Sequence, residues 1–159
     1  MNWGEFEQSA PDLAALGRSR FEATHVALVA TIRADGWPRI SPIEPILVLD
    51  NLLLGMLSGS HKALDVLRDP RCTVHSSVSD VNGSEGEFKI YGRALQVTDP
   101  AVLQGDYRAW WTADDASDAS VFSIDIDSAA HIAWDIDKGE MTVKRWTPGS
   151  GVRELRQDY

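Results

Sequence analysis

The sequence predicts a mainly β protein, an antiparallel barrel carrying a few helices. Three observations predict it. Stretches of strand length, about seven of them, follow one another at short spacing, with turn residues between them. Only a few segments show helical spacing. The chain from Pro38 to Asp50 carries prolines at 38, 42 and 45, which the middle of a regular ladder does not accept. That strand must be bulged, lie at an edge, or border a ligand or a second subunit.

The elements follow in order. Ala10-Pro11-Asp12 opens a helix over about 11–22, since proline suits the first turn and an early acid suits the dipole. Val26 to Ile32 is β-rich and nearly all apolar, a buried strand. Ala34-Asp35-Gly36 is a hairpin turn, and Pro38 to Asp50 returns as one interrupted strand. Leu52–Leu57 is a third strand. It feeds a short helix through Ser58-Gly59-Ser60-His61-Lys62, with Leu64 and Leu67 at helical spacing and Pro70 as the stop. Cys72 to Val78 is a fourth strand and Phe88 to Val97 a fifth, interrupted at Gly92. Asp99-Pro100 starts a second longer helix carrying Val102, Leu103, Tyr107, Trp110 and Trp111. Neighbouring helix positions point about 100° apart, so the two tryptophans cannot share one core, and one should meet a pocket mouth or a partner. Thr112 to Ser120 is an acidic loop. Val121–Asp127 alternates as a half-exposed strand, His131–Trp134 is another, and Met141–Trp146 is the last. These elements make one domain, 1–159, with a core at about 22–147 and a polar tail at 148–159.

Composition narrows the function. The net charge of −9 argues against general nucleic-acid binding. The charge is uneven: from Arg18 to Arg71 there are seven Lys or Arg against six acids, but from Ser76 to Glu140 only four against thirteen. The region around residue 60 is thus spared the general acidity. No stretch reaches membrane-spanning length, and the first residues lack the basic and apolar regions of a signal peptide. Cys72 is the single cysteine, so no internal disulfide forms. A cytoplasmic location is the expectation. The four histidines are widely spaced, with no metal-ligand pattern, and Asp125/Asp127 and Asp135/Asp137 lack a full calcium loop. No nucleophile elbow or phosphate-binding P-loop occurs. Cys72 reads as a small core residue. Any catalysis therefore falls to a cofactor.

One stretch offers a place for it. The N–H groups that start the helix after Ser60 have no internal partner, and the helix dipole makes that end electropositive. Ser58 or Ser60 can cap it, and Lys62 adds a full charge within the first turn. Together they suit a phosphate.

Several motifs then fall in a recognisable order: Val29-Ala30-Thr31, Ala34 to Pro42, Gly55-Met56, Ser58 to Ala63, Leu67 to Arg71, and Tyr91-Gly92-Arg93-Ala94. In that order, from about His25 to Val97, with weaker echoes at Trp134 and Trp146, the chain resembles the pyridoxamine 5'-phosphate oxidase-like superfamily of FMN-binding split barrels. The resemblance implies a six-stranded antiparallel split barrel and a homodimer with FMN bound between the subunits. It implies that Arg39 and Ser60-His61-Lys62 hold the flavin phosphate. Gly55-Met56 would line the ring, Ser41-Pro42 would run along it, and Glu87 would stand where the family has a glutamine. Ser58 and Trp134 join this set, and Trp37, Trp111 or Trp134 would wall the pocket. His61 stands where the family has arginine, and Glu44 where lysine is frequent. Those departures weaken the grip on a phosphate and point away from pyridoxamine phosphate as substrate. The implied function is a flavin-dependent oxidoreductase acting on another small molecule. The alternatives are a reductase of the same fold using a deazaflavin coenzyme, and a non-enzymatic flavin- or haem-binding protein with His61 or His75 as the iron ligand.

Overall fold

A computed structural model describes residues 1–105, 109–112 and 118–158. Its helices are α1 (Trp3–Ser9), α2 (Pro11–Thr24), α3 (His61–Arg68) and α4 (Pro100–Leu103). Its strands are β1 (Ala27–Ile32), β2 (Pro38–Ile43), β3 (Pro45–Val48), β4 (Asn51–Leu57), β5 (Arg71–Ser76), β6 (Glu87–Gln96), β7 (Ala119–Asp135), β8 (Glu140–Thr147) and β9 (Gly151–Asp158). All nine strands belong to one antiparallel sheet in the order β2-β1-β5-β6-β7-β4-β3, with β8 paired to β7 and β9 to β8.

The run from β2 to β4 supplies the six strands of the expected barrel. Its two ends, β2 and β4, come back into contact, yet among the described residues no ladder joins them. The prolines explain the seam. Proline has no N–H to give, so β2 with Pro38 and Pro42 can pair with β1 on one side but cannot zip closed on the other. The expected single strand from Pro38 to Asp50 breaks at Glu44 for the same reason. Pro45 opens a separate strand that pairs with β4 at the opposite end of the sheet order.

Four other expectations are corrected. The helix expected from Asp99 to Trp111 stops at Leu103, where Gln104 caps it, and Trp110–Thr112 form a separate 3₁₀ turn. Tyr107 lies outside the described residues. The two strands expected at Val121–Asp127 and His131–Trp134 are one, β7, whose 17 residues pair with β4 and β6 and then with β8. The tail expected to be plain polar chain forms β9, held by a ladder from Gly151 to Asp158 and by Lys144 and Arg156 around Glu154. Finally, α1 precedes the first expected helix. Asn2 accepts from the Glu5 backbone N–H while the Glu5 side chain accepts from Asn2, a reciprocal cap.

That first helix closes the bottom of the core. Trp3 and Phe6 pack edge to face at 5.4 Å, Phe6 lies 4.9 Å from Trp146, and Phe21 and Phe88 complete the cluster. The Trp146 indole donates to Ser9 Oγ at 3.0 Å, so the buried ring leaves no polar group unpaid. The expected interruption at Gly92 is a bulge. Register shifts between Tyr91 and Gly92, and a Cβ at Gly92 would stand 2.3 Å from the Asp125 carbonyl oxygen. Cys72 is buried, and burial pushes its thiol up to about 12, which fits a core residue rather than a nucleophile. Among the described residues no helix is long and apolar enough to cross a membrane.

Candidate functional site

The seam between β2 and β4 opens into a cavity of about 570 Å³. Its apolar walls come from Val26, Pro42 and Ile43 on one side and Leu57 with Trp110 on the other. Gly55 on β4 leaves bare backbone in the lining, and the polar groups are Ser60, Lys62 and Glu44. Gly55 is bare for a reason: a Cβ there would lie 1.9 Å from Cε3 of Trp111, so the indole packs directly on the strand. Trp111 is buried, with no hydrogen-bond partner for its Nε1 among the described residues, while Trp110 meets it edge-on at 5.9 Å and reaches the cavity. The two tryptophans do part company, although on a 3₁₀ turn rather than the expected helix, and the pocket wall is Trp110 and not Trp111.

The helix that follows is built to present its start to this cavity. Ser60 has extended dihedrals and its Oγ accepts from the Ala63 N–H at 3.4 Å. The first N–H groups of α3 have no intrahelical acceptor. Ala63 and Val66 pin the helix to the core. Lys62 reaches across to β2, where Nζ donates to the Pro42 carbonyl at 2.9 Å. Its pKa lies below the ordinary lysine value because burial disfavours the charge, with Glu44 acting in the other direction.

A second link between α3 and β2 runs the other way. Arg39 Nε donates to Asp65 Oδ2 at 2.7 Å. Asp65 is buried and also accepts from Thr31 Oγ1 at 2.9 Å and Arg68. Burial works to raise its pKa, but the hydrogen bonds from Arg39, Thr31 and Arg68 hold it below the usual carboxylate value. Arg39 is therefore held on the helix flank and is not part of the cavity lining.

The residues expected at the site thus separate into groups. Pro42, Gly55, Ser60 and Lys62 come together in the cavity. Ser41 stands opposite Val29 in the β1–β2 ladder, and the Met56 side chain points into the main core. Ser58 is exposed and its Oγ pairs with Ser120 Oγ at 2.8 Å. His61 is exposed at the head of α3, outside the lining, and Trp37 is exposed on the β1–β2 hairpin. Glu87 and Trp134 line a different cavity of about 460 Å³, built with Val78, Val81 and Gly83 of the loop before β6. Glu87 is not a bare carboxylate there. Lys89 Nζ binds it at 2.5 Å and His75 Nε2 lies 3.1 Å away. Asp65 is the residue that the sequence left unmarked; Trp110 was marked only as one of two tryptophans of which one should meet a pocket mouth or a partner.

Tested against this donor set, a phosphorylated ring cofactor fits the first cavity: apolar walls from Pro42, Leu57 and Trp110, and a capped helix start with one lysine. A solved structure of a pyridoxamine 5'-phosphate oxidase-related, FMN binding protein from Nostoc punctiforme is 12% identical, with 94% of this chain and 95% of that one covered and a TM-score of 0.61. PhzG from Burkholderia lata, solved with tetrahydrophenazine-1-carboxylic acid, gives a TM-score of 0.69 at 10% identity, covering 95% and 93%. A haem binding protein from Mycobacterium smegmatis gives 0.61 at 13%, covering 91% and 88%. At such identities the likeness is one of fold. No curated protein matches in sequence. The family model described as pyridoxamine 5'-phosphate oxidase matches residues 17–133, most of the chain, and the protein therefore belongs to the pyridoxamine 5'-phosphate oxidase family.

Proposed function

We propose that this protein is a flavin-dependent oxidoreductase that binds FMN at the β2–β4 seam and acts on a small molecule other than pyridoxamine phosphate. The observation that carries the reading is the cavity itself, whose lining brings Lys62 and the Ser60-capped helix start together with Leu57 and Trp110. A bound flavin supplies hydride transfer. The chain's own residues do the rest. Lys62 and the first N–H groups of α3 hold the phosphoryl end. Pro42, Leu57 and Trp110 exclude water from the ring, and Gly55 makes room for Trp111, which backs that wall.

A homodimer belongs to the same proposal. The outward face of the sheet runs from Pro42 through Leu28 to His75 in register, and His75 bonds Glu87 at the second cavity. Val26, Leu28 and Ile40 are exposed along it. A second copy packed there by a two-fold axis would bring one copy's second cavity towards the other's first. A cytoplasmic protein is the compartment proposed with it, where a lone buried thiol stays reduced.

The visible spectrum of protein purified with its native cofactor tests the reading. Absorbance near the flavin bands, or its appearance on adding FMN, is expected. Lys62→Ala should then lose at least about tenfold in affinity, since a charge-assisted hydrogen bond is worth about 1.5–3 kcal/mol. A colourless protein that ignores FMN would sink the proposal.

A further inference from the structure

The cavity is restricted in charge as well as in shape. Lys62 is the single cation in its lining among the described residues, and Glu44 shares that lining. Its ammonium is already turned to the Pro42 carbonyl. Arg39 gives its Nε to buried Asp65, and Arg68 divides itself between Asp65 and the Ile32 carbonyl. In the lining itself one cation, Lys62, stands with one carboxylate, Glu44, and the first N–H groups of α3 supply the remaining positive potential, while Arg39 and Arg68 are held by Asp65 outside it. A phosphate monoester carries close to two negative charges at neutral pH, whereas a diester carries one. A second negative charge on the ligand would go unmatched in a partly dry site, where mismatch is costly.

Building on the flavin reading, we infer that this cavity prefers a phosphoryl group of single negative charge, a phosphodiester, and that Glu44 and Asp65 set the preference. Glu44 acts by repulsion from the lining. Asp65 is a positioning residue that keeps Arg39 on the helix flank. Neither role follows from family membership, which alone would lead one to expect a strongly cationic phosphate cradle.

Three ligands with one ring system separate the possibilities: riboflavin, FMN and riboflavin 4′,5′-cyclic phosphate, titrated into apoprotein at about pH 8, where the monoester is a dianion. The cyclic diester should bind most tightly, at least about threefold ahead of FMN. Glu44 is exposed, so Glu44→Gln leaves the fold intact. That variant should bind FMN roughly tenfold more tightly, reverse the order of the two phosphates, and leave riboflavin unchanged. Asp65→Asn keeps an oxygen for Thr31 and Arg39 and should shift FMN in the same direction. Wild-type protein that favours FMN over the diester by tenfold or more would overturn the inference and leave the flavin reading standing, as would an unchanged FMN affinity in Glu44→Gln. If none of the three flavins binds, both fall.

Discussion

The two cavities of this protein are made in opposite ways. The first is framed mainly by regular structure: the end of β2, the second half of β4 and the first turn of α3, with Val26, Glu44 and Trp110 added from between or beside these elements. Ladders and a capped helix fix its shape, and its one cation comes from a helix position. The second is framed mainly by the loop from Val78 to Gly83, with Glu87, Trp134 and Ile136 at strand ends. That loop has no ladder. It is held by Glu85, which accepts from the Ser79 and Asp80 N–H groups and pairs with Arg20 at 2.8 Å. The difference teaches where each cavity is vulnerable. Packing and buried charge should control the first, and the protonation of one carboxylate the second.

The largest expected effect tests the charge network behind the first cavity. Asp65→Ala leaves Arg39 and Arg68 without their shared acceptor and Thr31 Oγ1 without its own. Breaking such a cluster should cost about 3 kcal/mol, read as a shift in urea midpoint. A loss under about 1 kcal/mol would show that solvent readily replaces the carboxylate. Next comes the wall. Gly55→Ala forces a methyl into the Trp111 ring and should cost about 1–3 kcal/mol while altering tryptophan fluorescence. An unperturbed spectrum would show that Trp111 does not rest on β4.

These two sites also mark what could be read in advance. Ser60, Lys62 and the edge character of Pro38–Ile43 were legible, because each follows from local chemistry: a cap, a charge in the first turn, missing N–H groups; Gly55 was marked only by the family resemblance. The separation of Trp110 from Trp111 was legible as geometry but not as assignment, since only packing decides which indole goes inside. The pairing of Arg39 with Asp65 was not legible at all. The residues are 26 apart, and nothing in either segment says that α3 will cross β2. The strand β9 escaped for a different reason: nearly all its residues are exposed, so its pattern lacks the apolar alternation that marks a strand with a buried face. Helix α1 could have been found, because Asn2 and Glu5 have capping-box spacing ahead of Phe6.

A smaller effect asks whether the two cavities meet. Trp134 lines only the second cavity. Within one chain, Trp134→Ala should leave FMN affinity at the first cavity untouched. If a second copy brings the cavities together, the same substitution should weaken FMN binding by roughly tenfold, about what one aromatic contact contributes. Light scattering on the same samples separates loss of the dimer from loss of a wall: an intact dimer with weakened binding places Trp134 beside the cofactor. Unchanged affinity in a stable dimer would break the proposed arrangement.

The smallest effect belongs to the loop clamp. Hydrogen bonds from the Asp80 and Ser79 N–H groups, with Arg20 beside them, hold the Glu85 carboxyl down at about 2, against an ordinary 4.5. A carboxylate depressed in this way stabilises the folded state above its ordinary value, and that contribution drains away as pH falls from 4.5 towards about 2. Glu85→Gln retains an oxygen that can accept but carries no charge, so its stability should lack this component. The gap in urea midpoint between wild type and variant should therefore be widest near neutrality and close steadily over that acid window. The protection factors of the Ser79 and Asp80 amides, taken relative to the intrinsic rate at each pH, should fall over the same range in the wild type. The β4–α3 side, whose frame is ladder and helix, should keep its protection to lower pH, even though Asp65 also lies below its ordinary value, because its ladder hydrogen bonds carry no titrating acceptor. Equal loss of protection on both sides would erase the distinction between a cavity framed by backbone and one framed by a single acid.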